Sequence, residues 1–66
     1  MENSLKSERK KKGLTQEQLA ESAGISRQAY IAIEKYKTDP RTSVAMKLAR
    51  RLGMKIEEFF KLTDKN

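Results

Sequence analysis

Three glycines, at positions 13, 24 and 53, and a single proline at 40 cut a 66-residue chain into short segments, none longer than the stretch between Gly24 and Pro40. Within each segment the apolar residues recur at helical spacing, and good helix formers such as Leu, Ala, Lys, Gln and Glu dominate. A chain of this length supports one domain, residues 1–66, with too little volume to enclose a deep pocket beside its own core. Short helices sharing one seam are the expected outcome.

The first helix is predicted from about Ser4 to Lys12, with Lys10, Lys11 and Lys12 at the end where the helix dipole favours cations and Gly13 just beyond it. Thr15-Gln16-Glu17-Gln18 has the spacing of a capping box, in which the Thr hydroxyl and the Gln side chain satisfy each other's backbone donors. Leu19, Ala20 and Ala23 give the second helix its apolar face, and Gly24 ends it. Ser26 is a good cap for a third helix over residues 27–34. Tyr36 to Arg41, carrying Asp39-Pro40, reads as a loop. Thr42 or Ser43 is then expected to cap a fourth helix whose Val44, Ala45, Leu48, Ala49 and Leu52 face inward, closed by Gly53. A fifth helix is predicted from Ile56 to about Leu62, followed by a frayed tail over 63–66.

Two short helices joined by a tight turn containing glycine, the second beginning with polar and basic residues, form a helix-turn-helix. Gln16 to Lys35 fit that arrangement. It requires a small residue where the helices cross, supplied by Ala20, and a positive φ at Gly24, while Leu19, Ile25, Tyr30 and Ile33 hold the crossing angle.

Leu14-Thr15-Gln16-Glu17-Gln18-Leu19-Ala20, Gly24-Ile25-Ser26-Arg27-Gln28, Ile33-Glu34, Asp39-Pro40 and Ala49-Arg50-Arg51-Leu52-Gly53, in that order, resemble the phage-repressor, Xre/Cro-like helix-turn-helix family from about Leu5 to Phe60. The resemblance implies an all-α fold, a compact five-helix repressor-like DNA-binding domain whose third helix enters the major groove. It also implies a transcriptional regulator, usually a repressor, and a homodimer reading a palindromic operator in double-stranded DNA. On this chain the base-reading positions become Ser26, Arg27 and Gln28, followed by Ile31 and Ala32 one turn on, where contact with thymine methyl groups is expected. Gln16 at the second helix's start, with Lys35, Lys37 and Arg41, would hold phosphates. Arg9 and Glu34 resemble a family ion pair between the first and third helices. Two residues depart from the pattern: Glu8 stands where the family commonly has a core leucine, and Tyr30 where it commonly has a smaller aliphatic residue, which implies different packing of the first helix.

Leu19, Ala20, Ile33, Val44, Leu48, Leu52 and Phe59 are the expected core, and Tyr30 is expected to join it with its hydroxyl at the edge. Phe59 and Phe60 are neighbours, and neighbours on a helix diverge by about 100°, so both cannot enter one seam. Phe60, Leu62, Met54 and Ile56 are therefore expected at a dimer interface. Dimerisation would supply the affinity that a single half-site lacks.

The charge balance narrows the partner. Fifteen Lys and Arg against nine Asp and Glu leave a net charge of +6 and a pI near 9.8, which suits a polyanion such as nucleic acid or an anionic membrane. The cations are spread around a glycine-punctuated motif that lipid binding does not require. With no Cys and no His, the chain offers no thiolate nucleophile, no usual acid-base group and no usual metal-ligand cluster, so it is expected to be no enzyme and to use no cofactor or metal. No run is apolar enough for a membrane span or a signal peptide, so a cytoplasmic protein without a membrane partner is expected. No small-molecule effector is evident, and control by abundance, dimerisation or a partner protein is expected. The alternative from another class is a protein-interaction module, an antitoxin or an adaptor with weak DNA binding.

Overall fold

The computed structural model describes residues 5–35 and 39–63. These residues form five helices and no strand: α1 (Leu5–Lys11), α2 (Gln16–Ala23), α3 (Arg27–Glu34), α4 (Thr42–Leu52) and α5 (Ile56–Thr63). The expected loop at 36–38, the start of α1 at Ser4 and the tail at 64–66 lie outside the described residues. Thr63, expected in the tail, is the last residue of α5.

Local chemistry sets most of the helix ends. Gln18 donates its backbone N–H to Thr15 Oγ1 at 3.0 Å, and Gln18 Oε1 accepts from the Thr15 N–H at 2.9 Å, completing the capping box. Ser26 Oγ likewise accepts from the Ala29 N–H at 3.0 Å and starts α3. Glu58 Oε1 accepts from the Lys55 N–H at the start of α5. The turn between α2 and α3 depends on Gly24, whose φ of +70° and ψ of 30° let the Ile25 N–H reach back to the Ala20 carbonyl at 3.0 Å. A Cβ at Gly24 would meet nothing within 4 Å, so a substitution there is felt through the backbone alone. Gly24→Ala is expected to cost about 1–2 kcal/mol, a fall in Tm of about 4–15 °C for a domain this small. Gly24→Asn should cost less, because Asn tolerates the left-handed region. Equal melting of the Ala and Asn variants would refute this account of the turn.

The start of α4 corrects the sequence expectation. Neither Thr42 nor Ser43 is the cap; Arg41 is, in extended conformation, with its carbonyl accepting from the Ala45 N–H at 2.8 Å and no side chain capping the first turn. Packing decides this: Ala45, Leu48, Ala49 and Leu52 are all buried, and that inward face carries the helix back past the two residues with better capping propensity.

The core comprises Leu5, Leu14, Leu19, Ala20, Ala23, Tyr30, Ile33, Ala45, Leu48, Ala49, Leu52 and Phe59, with Ile25, Val44, Met54 and Ile56 packed against it and half-buried. Val44 thus borders the core instead of filling it. Helix α2 packs on α3 and α4, α4 on α5, and α1 on α5. Glu8 is half-buried, and α1 anchors through Leu5 and Arg9, one turn apart on a shared face. The two phenylalanines separate as their spacing requires: Phe59 is fully buried and Phe60 is 44% exposed, their rings meeting edge to face at 6.3 Å. Among the described residues no helix is long and apolar enough to cross a membrane.

Candidate nucleic-acid interface

Beneath the helix-turn-helix lies a buried polar cluster that fixes where α3 begins relative to α1 and α2. Arg9 Nε donates to Glu34 Oε2 at 2.9 Å and Arg9 Nη1 to the Leu14 carbonyl at 2.8 Å. Tyr30 Oη donates to the same Glu34 Oε2 at 2.8 Å, and Gln16 Nε2 donates to Glu34 Oε1 at 2.9 Å. One carboxylate therefore joins α1, the first residue of α2 and two turns of α3, and Arg9 extends the cluster to the loop before α2. Among the described residues no buried side-chain polar atom lacks a hydrogen-bond partner.

The Tyr30 hydroxyl is not at the edge of the core, as the sequence suggested. It is turned inward onto Glu34, because the position i+4 on the same helix face brings the two side chains together. Burial opposes ionisation of Glu34, but the hydrogen bonds from Arg9, Gln16 and Tyr30 outweigh it and hold the carboxyl below its ordinary range. The hydrogen bond to Glu34 raises the Arg9 pKa against the opposing effect of burial. Burial and the hydrogen bond to Glu34 push the Tyr30 phenol well above its usual value.

On the outer side, Ser26, Arg27 and Gln28 are exposed in succession at the start of α3. The Ser26 oxygen is engaged in capping, which leaves its O–H as an outward donor. Ile31 and Ala32, one turn on, are half-buried and offer only part of their surface. Arg27 lines an open recess with Thr15, Gln16, Glu17, Arg9, Gly13 and Leu14, so α3's first residue and α2's first turn share one face. Gln16 belongs to that recess, yet one of its amide hydrogens is committed to Glu34. Lys35 is exposed immediately after α3. Arg41 is exposed on the other flank, lining a groove between α3 and α4 with Ile25, Ala29, Val44 and Lys47. Lys37 lies outside the described residues, as does the side chain of Leu62.

Two charged residues at this surface were missed by sequence reasoning. Glu17 shares the recess with Arg27, and Lys47 lies in the groove with Arg41. Glu17 is a favourable acid in a helix's first turn and Lys47 an ordinary helical lysine, so neither carries a sequence signal of its own. Met46, 49% exposed on α4, was also unremarked.

The helix-turn-helix family matches residues 5–59 of the chain. The chain belongs to the Xre/Cro-like helix-turn-helix family. An uncharacterized HTH-type transcriptional regulator of Methanocaldococcus jannaschii is 52% identical over 60 residues, covering 91% of each chain. One from Methanothermobacter thermautotrophicus is 43% identical over 97% of this chain and 94% of its own. The regulator YgzD of Bacillus subtilis is 38% identical over the full length of both. No solved structure matches. The Arg9–Glu34 contact, implied at first only by family resemblance, is a short buried ion pair in this helix-turn-helix domain.

Proposed function

We propose that this domain is a transcriptional regulator that binds double-stranded DNA sequence-specifically, acting as a repressor and as a homodimer on a palindromic operator. The observation that carries the reading is the exposure of Arg27 and Gln28 at the start of α3, above a buried cluster that fixes that helix against α1 and α2. An Arg side chain takes guanine O6 and N7 bidentately and a Gln side chain takes adenine N6 and N7. Ser26, Ile31 and Ala32 complete the base-reading face. The free hydrogen of the Gln16 amide, the first-turn N–H groups of α2, and Lys35, Lys37 and Arg41 take phosphates and set the register. Membership of a family whose named relatives are HTH-type transcriptional regulators supports the reading, as does the net charge of +6.

Phe60, with Met54, Ile56 and Leu62, forms the proposed dimer contact. Its support is the 44% exposed Phe60, with half-covered Ile56 one turn earlier on the same face of α5, and the half-covered Met54 just before that helix. The test is selection of bound sequences from random duplexes by the purified protein at two salt concentrations. Enrichment of a palindrome with half-sites about one helical turn apart, 34–36 Å, is expected. Binding without enrichment, falling steeply with salt, would leave only nonspecific attraction and favour an interaction module.

Glu17 yields a separate expectation. It is exposed beside Gln16 and Arg27, where its charge repels the phosphate that Gln16 and the first-turn N–H groups of α2 attract. Glu17→Gln is expected to raise affinity several-fold for every sequence alike, while removing about 0.3–1 kcal/mol of helix-dipole stabilisation. Titration of operator and unrelated duplexes alongside thermal melting measures both, and unchanged affinity would remove Glu17 from the phosphate face.

A further inference from the structure

The remaining strongly charged surface is the outer side of α4. Lys47, Arg50 and Arg51, spaced i, i+3 and i+4 and so on one face of the helix, line a single shallow depression with Ser22 of α2. All three cations are exposed, and none is paired with a described carboxylate. The helix dipole accounts for cations in the last turn, where Arg50 and Arg51 stand. It does not account for Lys47, a turn earlier. Lys47 also lines the α3–α4 groove together with Arg41, Ser43 and one carboxylate, Asp39. Positive charge therefore stands at the cap before α4, at Arg41 beside the recognition helix, and again over its second half from Lys47 to Arg51.

We propose that this row is a second backbone track, in which Lys47, Arg50 and Arg51 hold phosphates of the same duplex beyond the half-site that α3 reads. The inference rests on the DNA-binding reading above and extends it to flanking DNA that no base-reading residue touches. Its reach is modest: Lys47 to Arg51 is four helical steps, about 6 Å of axis, which with the length of the side chains covers roughly two to three phosphates along one strand. Composition selects the partner. Among the described residues the depression is lined by Ser22 and three cations, whose long stems supply its apolar surface; three charged heads on one face suit a polyanion better than the apolar face that a membrane-surface site inserts or the apolar centre of a protein interface. A strongly positive surface is what a nucleic-acid backbone fits. Continuity with Arg41 and the α3–α4 groove identifies the duplex already held by α3 as the source of those phosphates.

The experiment compares a duplex just covering the selected operator with one extended by about one helical turn at each end, for the native domain and for Arg50→Gln/Arg51→Gln, with Lys47 kept because it also lines the groove beside Arg41. Gln keeps helix propensity, and thermal melting checks that the variant is folded. The native protein is expected to bind the longer duplex more tightly, with a salt slope steeper by up to about 3 per protomer. That gain should shrink roughly 40-fold between 50 and 200 mM salt and persist when the flank sequence is scrambled. The variant should match the native protein on the short duplex and lose most of the gain on the long one. Equal native affinity for both lengths, or an equal loss by the variant on both, overturns the track while leaving base reading by α3 intact. Absence of binding to either duplex overturns both readings.

Discussion

Arg9→Met is expected to leave the domain largely unfolded or barely stable at room temperature. The substitution keeps the apolar stem of the side chain but strands the Glu34 carboxylate, which is 8% exposed, without its cation. Removing one partner of a buried ion pair costs about 3–5 kcal/mol. A domain of 66 residues has only about 3–10 kcal/mol to lose. Arg9→Lys should restore little, because one ammonium cannot reproduce the planar fork that reaches both Glu34 Oε2 and the Leu14 carbonyl. Arg9→Met combined with Glu34→Leu should recover part of the loss, since no charge is then left unpaired, although the buried Tyr30 hydroxyl loses its acceptor. Melting of these proteins together with the Glu34→Leu single variant measures the cycle. A Tm for Arg9→Met within about 5 °C of the native value, where 1 kcal/mol corresponds to about 4–8 °C, would show the pair to be dispensable.

The same cluster fixes the direction of the acid response. The folded-state pKa of Glu34 is lowered, so its ionisation contributes stability that is fully present above the unfolded value of about 4.3 and lost as pH falls through the folded one. The stability gap between the native domain and Glu34→Gln should therefore narrow below about pH 4. At the alkaline end Tyr30 works oppositely. Its pKa is raised on folding, so its contribution is complete below an unfolded value of about 10 and declines as pH rises beyond it. Urea titrations at pH 3, 7 and 10.5 test both signs, and a gap that widens in acid would contradict the assignment to Glu34.

What the sequence revealed follows from the range of each interaction. The capping box at Thr15 and Gln18 and the left-handed turn at Gly24 are chemistry within a few residues, so both were legible directly. The contact between Arg9 and Glu34 spans 25 positions and was accessible only through resemblance to a family. Residue type placed Tyr30 in the core, but nothing in the chain states which way a phenol points, and its role as a third donor to Glu34 went unseen. Leu5 and Leu14 escaped the expected core because each is an isolated leucine outside a clear apolar stripe. The α4 cap shifted because a four-residue buried face outweighs the preference of Thr42 or Ser43. At the candidate interface, exposure of Arg27 and Gln28 agrees with the sequence reading, whereas the bond tying Gln16 to Glu34 required coordinates.

Arg27→Ala is expected to relax sequence preference at one base pair of each half-site without changing the fold. Arg27 is the first residue of α3 and exposed, so truncating it opens no cavity and strands no buried group. The helix start is held by Ser26 and the underlying cluster by Glu34, neither of which bonds to Arg27. A bidentate pair with guanine contributes about 1–3 kcal/mol of discrimination, so the preference for that base over its competitors should fall by roughly 5- to 150-fold. Arg41→Ala serves as the contrasting variant. As a phosphate anchor it should weaken every duplex alike and lower the salt slope by about 1, leaving the preferred sequence unchanged. Competition of the selected operator against single-base variants separates the two patterns. If Arg27→Ala weakened all duplexes equally, the guanidinium would be a backbone contact, and Gln28 would be left as the main polar reader at the start of α3.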